Sequence, residues 1–374
     1  MNSMEKYMKM ISLAPYNDRT EIPVFPMLMA TFGSLGDVLQ KDILNSKDKW
    51  IESVENTFAK IGTPDVCMAT CPADTVFVMG LPARLPGKEL GDNDLYQFVE
   101  TVYFDTDEYE KIKEMGWHNW YAKYIMEIQN PPLTSPEQLG ARYGVMGKQT
   151  GEIIGYLYSR GIVPCFEGAN IPIYDMLSMI RSMAEFTYDL YDDPGPIMDI
   201  IHTYQPIDDE NNIKMMKANG GQRFGMFAMR SSSTFVSPSI FEEYIWPELK
   251  ASILRFHEAG IISVIHADGN WLPMLEYFTQ LPKGCCHFEL DGATDIFKAY
   301  DILKGSQSLR GDVPSTMFAY GTPDDVGEYC EKLIQMGMGG GFMLSSGCEV
   351  PLNAKVECVK AMMDSVKHPA AVVV

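Results

Sequence analysis

The chain is short of positive charge. Its 374 residues carry 30 Lys and Arg against 50 Asp and Glu, a formal charge of −20. A surface of that sign repels a phosphate backbone, so nucleic acid is not an expected partner. Long apolar runs are also missing, since no stretch approaches the roughly 18 uncharged apolar residues that a spanning helix needs, and no membrane role is expected. The N-terminal stretch MNSMEKYMKMISLAPYNDRTE mixes charges with Met and has no small-residue cleavage site, so it does not read as a signal peptide. A soluble, cytoplasmic protein is the expectation. Cysteine lacks a pattern: the 8 residues are scattered without a CxxC pair, which argues against a disulfide framework and for reduced, mostly packed thiols.

What is present is a chain of 46% hydrophobic composition, enough for a large core. Short β-rich runs recur, each followed by turn chemistry and then a longer amphipathic segment, the order of parallel βα units. Eight can be counted: IPVFPMLM from Ile22, DVCMATC from Asp65, GIVPCFEG from Gly161, FGMFAMR from Phe224, IISVIHADG from Ile261, CCHFELDG from Cys285, SLRGDVP from Ser308 and GGFMLSSGCEVP from Gly340. Without a break in composition they predict an α/β fold, one (β/α)8 TIM-type barrel over residues 1–374.

Residues 80–155 exceed an ordinary βα loop. They are expected to form an insertion after the second strand, either a lid or substrate wall over the mouth or a helical layer on the barrel side. The clearest helix signal follows the fourth run: Ser237 as N-cap, Pro238 at the first position, Glu242 and Glu243 at the positive end of the dipole, and Gly260 as terminator. Pro247 inside it predicts a kink.

A barrel of this type keeps its chemistry at the C-terminal ends of the strands, so the polar residues that end the runs are the candidates. The fifth run ends in His266 and Asp268, the sixth in Glu289 and Asp291, the eighth in Cys348 and Glu349. One histidine after an apolar run is commonly a core residue. Imidazole, carboxylate and thiol from three runs aimed at one axis suit zinc, with His266, Glu289 and Cys348 as ligands and Asp268 as fourth ligand or as a partner of His266. Met29, Cys71, Glu167, Arg230 and Asp312 end other runs and are candidates for substrate contact, although structural ion pairing would explain the charged ones equally well.

At these residues the chain resembles the uroporphyrinogen decarboxylase superfamily. SPSIFEEYIWPELKASILRFHEAGIISVIHADGN is similar to its Ser-Pro-x-x-Phe-Glu-Glu helix and His-x-x-Gly strand end, LSSGCEVPLNA to its Gly-Cys-Glu-Val-Pro segment, and QSLRGDVP lies where a Gly-Asn-x-Asp-Pro-like turn is found. The decarboxylases themselves carry an N-terminal Met-Arg-Gln-Ala-Gly-Arg segment for the substrate's carboxylates. This chain has PVFPMLMATFGSLGD there, without arginine.

The corrinoid-dependent methyltransferase branch is the better resemblance. It implies zinc on His266, Cys348 and Glu289, with Asp268 where thiol-methylating members have Cys. A carboxylate in place of thiolate makes a harder Lewis acid, suited to an oxygen leaving group. The resemblance therefore implies O-demethylation: methyl transfer from a methoxylated substrate, an aryl methyl ether in the first instance, to Co(I) of a corrinoid (cobalamin) carried by a partner protein. Asp268, Glu289 or Glu167 could supply a proton, with Asp268 and Glu289 the catalytic candidates. The alternatives are transfer from a methylcorrinoid to a thiol or pterin, a decarboxylase on another substrate, and a silent binding barrel. An isologous homodimer is the default assembly.

Overall fold

The computed structural model describes residues 1–69 and 72–368. Each of the eight runs contains a strand. In chain order these are β1 (Val24–Phe25), β2 (Val66–Cys67), β3 (Val163–Pro164), β4 (Gly168–Asn170), β5 (Arg223–Phe227), β6 (Ile262–Ala267), β7 (Cys286–Leu290), β8 (Ser308–Val313) and β9 (Phe342–Ser346). β3 and β4 are two halves of one interrupted strand. All barrel pairings are parallel, running β1-β9-β8-β7-β6-β5-β4 with β2 on β3. Asp65 joins the remaining edges: its backbone N donates to Val24 O at 3.1 Å and its carbonyl accepts from Val163 N at 2.9 Å. The result is a TIM-type barrel.

Side chains from alternate strand positions face the axis or the outer helices. Outward, Phe224 stacks on Phe256 at 4.5 Å and Phe288 meets Phe278 edge-on at 4.7 Å, which fixes the helices to the strands through aromatic area. Inward, the barrel floor holds an unusual amount of charge. The first helix, Ser3–Ile11, starts with an Asn2/Glu5 capping box and inserts Tyr7 beneath the strands, where Arg223 lies 5.2 Å from the ring centroid. Arg223 pairs with Glu167, whose carboxylate also accepts from the backbone N of Gln222 and Arg223.

The helix after β5 forms as its caps predict, with Ser237 Oγ accepting from Ile240 N at 3.3 Å, and its hydrogen-bond register changes just before Pro247. A single π-helical turn, Phe241–Ile245, precedes the helix Trp246–Glu258 and leaves Pro247 in its first turn, where its missing N–H breaks no ladder bond. Gly260, at φ +78°, follows the end of that helix.

Residues 80–155 form a short hairpin and helices. Ala83–Arg84 pairs antiparallel with Gln97–Phe98 near the mouth, two helices follow (Glu108–Met115 and Trp117–Ile128), and a third, Pro136–Ser159, runs down the barrel side into β3. Among the described residues no helix is long and apolar enough to cross a membrane.

Candidate active site at the barrel mouth

His266 is the penultimate residue of β6, and the parallel register places it beside Glu289 of β7. Its Nδ1 lies 2.9 Å from Glu289 Oε2. The other oxygen of Glu289 accepts from Arg310 Nε at 2.9 Å, and Arg310 also donates to Ser345 Oγ at 2.7 Å while lying 4.5 Å from the Phe25 ring centroid. All three charged groups are buried. Burial alone would raise the Glu289 carboxyl, but Arg310 and His266 outweigh it and bring it down to about 2.

Burial works against a proton on His266, yet Asp268 and then Glu289 outweigh it and hold the imidazole above its ordinary value. Nε2, the ring nitrogen left over, lies 3.4 Å from Asp268 Oδ1. Asp268 reaches the mouth because the chain turns at Gly269, whose φ of +81° disfavours any side chain and whose Cβ would fall 2.7 Å from Thr234 Oγ1. Asp291 secures this turn by accepting from Gly269 N at 2.8 Å. Burial raises the Asp268 carboxyl, with Asp291 and Glu289 adding to the effect. Burial and the negative charge of Asp268 push the Cys348 thiol up to about 12.

An imidazole nitrogen and a carboxylate thus stand together at the mouth, and the charge of that carboxylate reaches the Cys348 thiol. Asp268 and Cys348 are both held away from their anionic forms, and a cation among them would reverse that. Among the described residues no three His, Cys, Asp or Glu side chains stand at distances that hold a metal together. The donor chemistry nevertheless fits zinc, and a carboxylate on Nδ1 is the arrangement that orients a ligating histidine.

Asp268 opens onto a cavity of about 500 Å³ walled by Met79, Leu81, Phe98, Met179 and Met229, with Glu100 and Arg230 paired across it. A second cavity of about 80 Å³, also bounded by Met79, is lined by Met29, Met68, Phe166 and Phe227, and the Phe227 ring lies 5.1 Å from that of His266.

Of the residues singled out in the sequence, His266, Asp268 and Glu289 come together, Cys348 is close enough to Asp268 to feel its charge, and Met29 and Arg230 line the two cavities. Both oxygens of Glu289 are engaged, one by His266 and one by Arg310, and the carboxyl is held low. Glu167 is not at the mouth but paired with Arg223, the first residue of β5. Asp312 accepts from Tyr329 Oη at 2.7 Å, on the outer helix Pro323–Gly337, instead of meeting the cavity. Cys71 lies outside the described residues.

Three partners went unread. Arg310 was a charge within an apolar run, and its position two residues after Ser308 in the strand was the available signal. Glu100 sits in the insertion without a local motif. Glu349 is half-buried; its carboxylate accepts from Ala30 N at 2.6 Å, and desolvation raises it to about 7.

A barrel with mixed N, O and S donors at its mouth is the class that fold and site define. The family pattern Uroporphyrinogen decarboxylase (URO-D) matches residues 152–369, and the protein belongs to that family. Over 154 residues it is 26% identical to the methylcobamide:CoM methyltransferase MtbA of Methanosarcina acetivorans, a match that covers 39% of this chain and 44% of that protein. The chain thus matches less than half the length of that relative. A solved methyltransferase from Methanosarcina mazei superposes with a TM-score of 0.71 over 98% of both chains at 12% identity, a likeness of fold.

Proposed function

We propose that the protein is a zinc-dependent methyltransferase that moves a methyl group from a methoxylated substrate, an aryl methyl ether, to the Co(I) of a corrinoid on a partner protein. The observation that carries this reading is His266, oriented by Glu289 on one nitrogen and facing Asp268 with the other. His266, Asp268 and Cys348 would hold the metal. Zinc, when bound, supplies a Lewis acid that favours negative charge on the departing oxygen.

The chain's own residues do the rest. Glu289 and Arg310 fix the imidazole so that its Nε2 stays directed at the mouth. The Met and Phe walls exclude water from the methyl group and hold an aromatic ring by area. The ether C–O bond breaks with its electron pair on oxygen. A phenol titrates near about 10, so the leaving group can take its proton from solvent afterwards, and neither Glu289 nor Glu167 is needed as an acid. Residues 81–100, including Leu81, Phe98 and Glu100, act as the substrate wall.

The test is to mix metal-analysed protein with cob(I)alamin and methoxylated aromatics and to follow methylcobalamin spectrally. Metal-free protein that still methylates cobalt would refute the role of zinc, and no methylation from any ether would refute the donor class. His266→Ala and Cys348→Ala should lose metal and transfer together. The likeness to a methylcobamide:CoM methyltransferase favours a second reading, transfer from methylcorrinoid to a thiol. Loss of methylcobalamin on adding a thiol, with no ether demethylation, would select it. The decarboxylase reading is disfavoured because Arg310 and Arg223 are both committed to buried glutamates.

A further inference from the structure

Arg230 is the one cation among the described residues that line the larger cavity. Its guanidinium meets Glu100 with two bonds, Nη2 to Oε2 at 2.9 Å and Nη1 to Oε1 at 3.3 Å. The two ends of this pair are anchored very differently. The backbone N of Arg230 donates to Asp175 Oδ1 at 2.6 Å, Asp175 is itself buried and accepts from Ser231 Oγ at 3.0 Å, and the guanidinium lies 5.7 Å from the Phe235 ring centroid. Glu100 belongs to the insertion, just beyond the short Gln97–Phe98 strand, and its side chain is 40% exposed against 17% for Arg230. The cation is therefore held in place while its carboxylate comes from a separate, more exposed segment.

We propose that Arg230 is the receptor for a carboxylate carried by the methyl donor, and that Glu100 occupies this receptor until the donor arrives. The inference rests on the methyl-donor reading above and narrows it to anionic ethers. A planar two-oxygen group suits the fork of an arginine. Arg230 and Asp268 line the same cavity, and Met79, Leu81, Phe98 and Met179 give that cavity an apolar wall suited to the hydrocarbon that joins a carboxylate to an ether oxygen. A neutral donor would leave the Arg230–Glu100 pair intact and gain nothing from it. A cationic donor would be repelled by Arg230.

Calorimetric binding of 4-methoxybenzoate and 4-methoxybenzyl alcohol tests this without requiring turnover. The acid should bind at least about ten-fold more tightly than the alcohol. Arg230→Met should remove that difference by weakening the acid to the level of the alcohol. Glu100→Gln keeps an oxygen for Met183 N but loses the competing charge, and should tighten the acid several-fold. Equal affinities in the unaltered protein, a preference that survives Arg230→Met, or no binding of either compound would overturn the proposal. Unfolding midpoints of both variants check that the fold is kept. Carboxylate-dependent binding without cobalt methylation would leave Arg230 standing as a carboxylate receptor and sink the O-demethylation reading. Transfer from the alcohol as readily as from the acid would do the reverse.

Discussion

His266 and His287 lie inside the same barrel on neighbouring strands, and their environments drive them in opposite directions. His287 sits low in the barrel, with Nδ1 3.0 Å from Ser308 Oγ and the Tyr7 ring edge-on at 6.4 Å. Burial takes its proton away and lowers it to about 3, more than Glu289 can offset. His266 is equally enclosed but has carboxylates near both nitrogens, so it rises. The same contrast holds for the two buried ion pairs. Arg223–Glu167 at the floor is closed off by backbone donors and by Tyr158, whereas Arg310–Glu289 passes its order on to a histidine that faces a cavity. Burial makes structure at the floor. At the mouth, burial combined with unspent donors makes a site.

The contrast should break most visibly at Arg310. Arg310→Met strands the Glu289 carboxylate in the interior and should cost about 3–5 kcal/mol of stability in urea unfolding. It should also weaken zinc binding by about 10–100-fold, because His266 loses its fixed orientation. Arg223→Met at the floor should cost less, about 1–3 kcal/mol, since Glu167 retains two backbone donors and the Tyr158 hydroxyl. Zinc affinity should not change in that variant, and a loss comparable to that of Arg310→Met would erase the distinction between floor and mouth.

The barrel was legible because each strand leaves a short apolar run with turn residues after it, and that signal depends only on local sequence. His266, Asp268 and Cys348 were legible as strand-end residues for the same reason. What a linear pattern does not carry is register. The pairing of β7 with β6 and β8 sets His266 and Arg310 against the two oxygens of Glu289, which no local pattern shows. Glu167 ended a run like the others, but its strand is interrupted there, between β3 and β4, and the side chain goes to Arg223. Asp312 was expected at the mouth, and only the placement of an outer helix reveals Tyr329 as its partner. Pro247 announced a disturbed helix, but whether a kink or a π turn absorbs it depends on packing around Trp246.

The two histidines make opposite contributions to the pH dependence of the metal-free protein. His287 takes a proton near about 6.5 when unfolded but only near 3 when folded. The unfolded chain therefore holds more protons throughout that window, and stability falls as pH drops through it, by at most about 1.4 kcal/mol per unit. His266, raised on folding, contributes stability that is fully present below its unfolded value and is lost as pH rises through its folded value. His287→Gln should flatten the acid side of the stability curve between pH 6 and 4 by roughly this slope and leave the alkaline side unchanged. An acid limb as steep as in the unaltered protein would assign that sensitivity to other groups; Asp312 and Glu349, which burial raises to about 7, act against it, because they add stability as pH falls.

The smallest expected effect is at Tyr7, the residue that closes the floor. Its hydroxyl, Nη1 of Arg223 and Nε2 of His287 are buried polar atoms without hydrogen-bond partners among the described residues. A buried hydroxyl without a partner opposes folding by its lost hydration, so Tyr7→Phe removes a liability and keeps both the ring under Arg223 and its packing. The unfolding free energy should stay the same or rise by up to about 1 kcal/mol, with zinc affinity unchanged. A fall of more than that would mean the three unpaired groups share a bound water or anion that the hydroxyl helps to hold. In that case the floor would have a ligand of its own, and its contrast with the mouth would lie in which ligand each end binds.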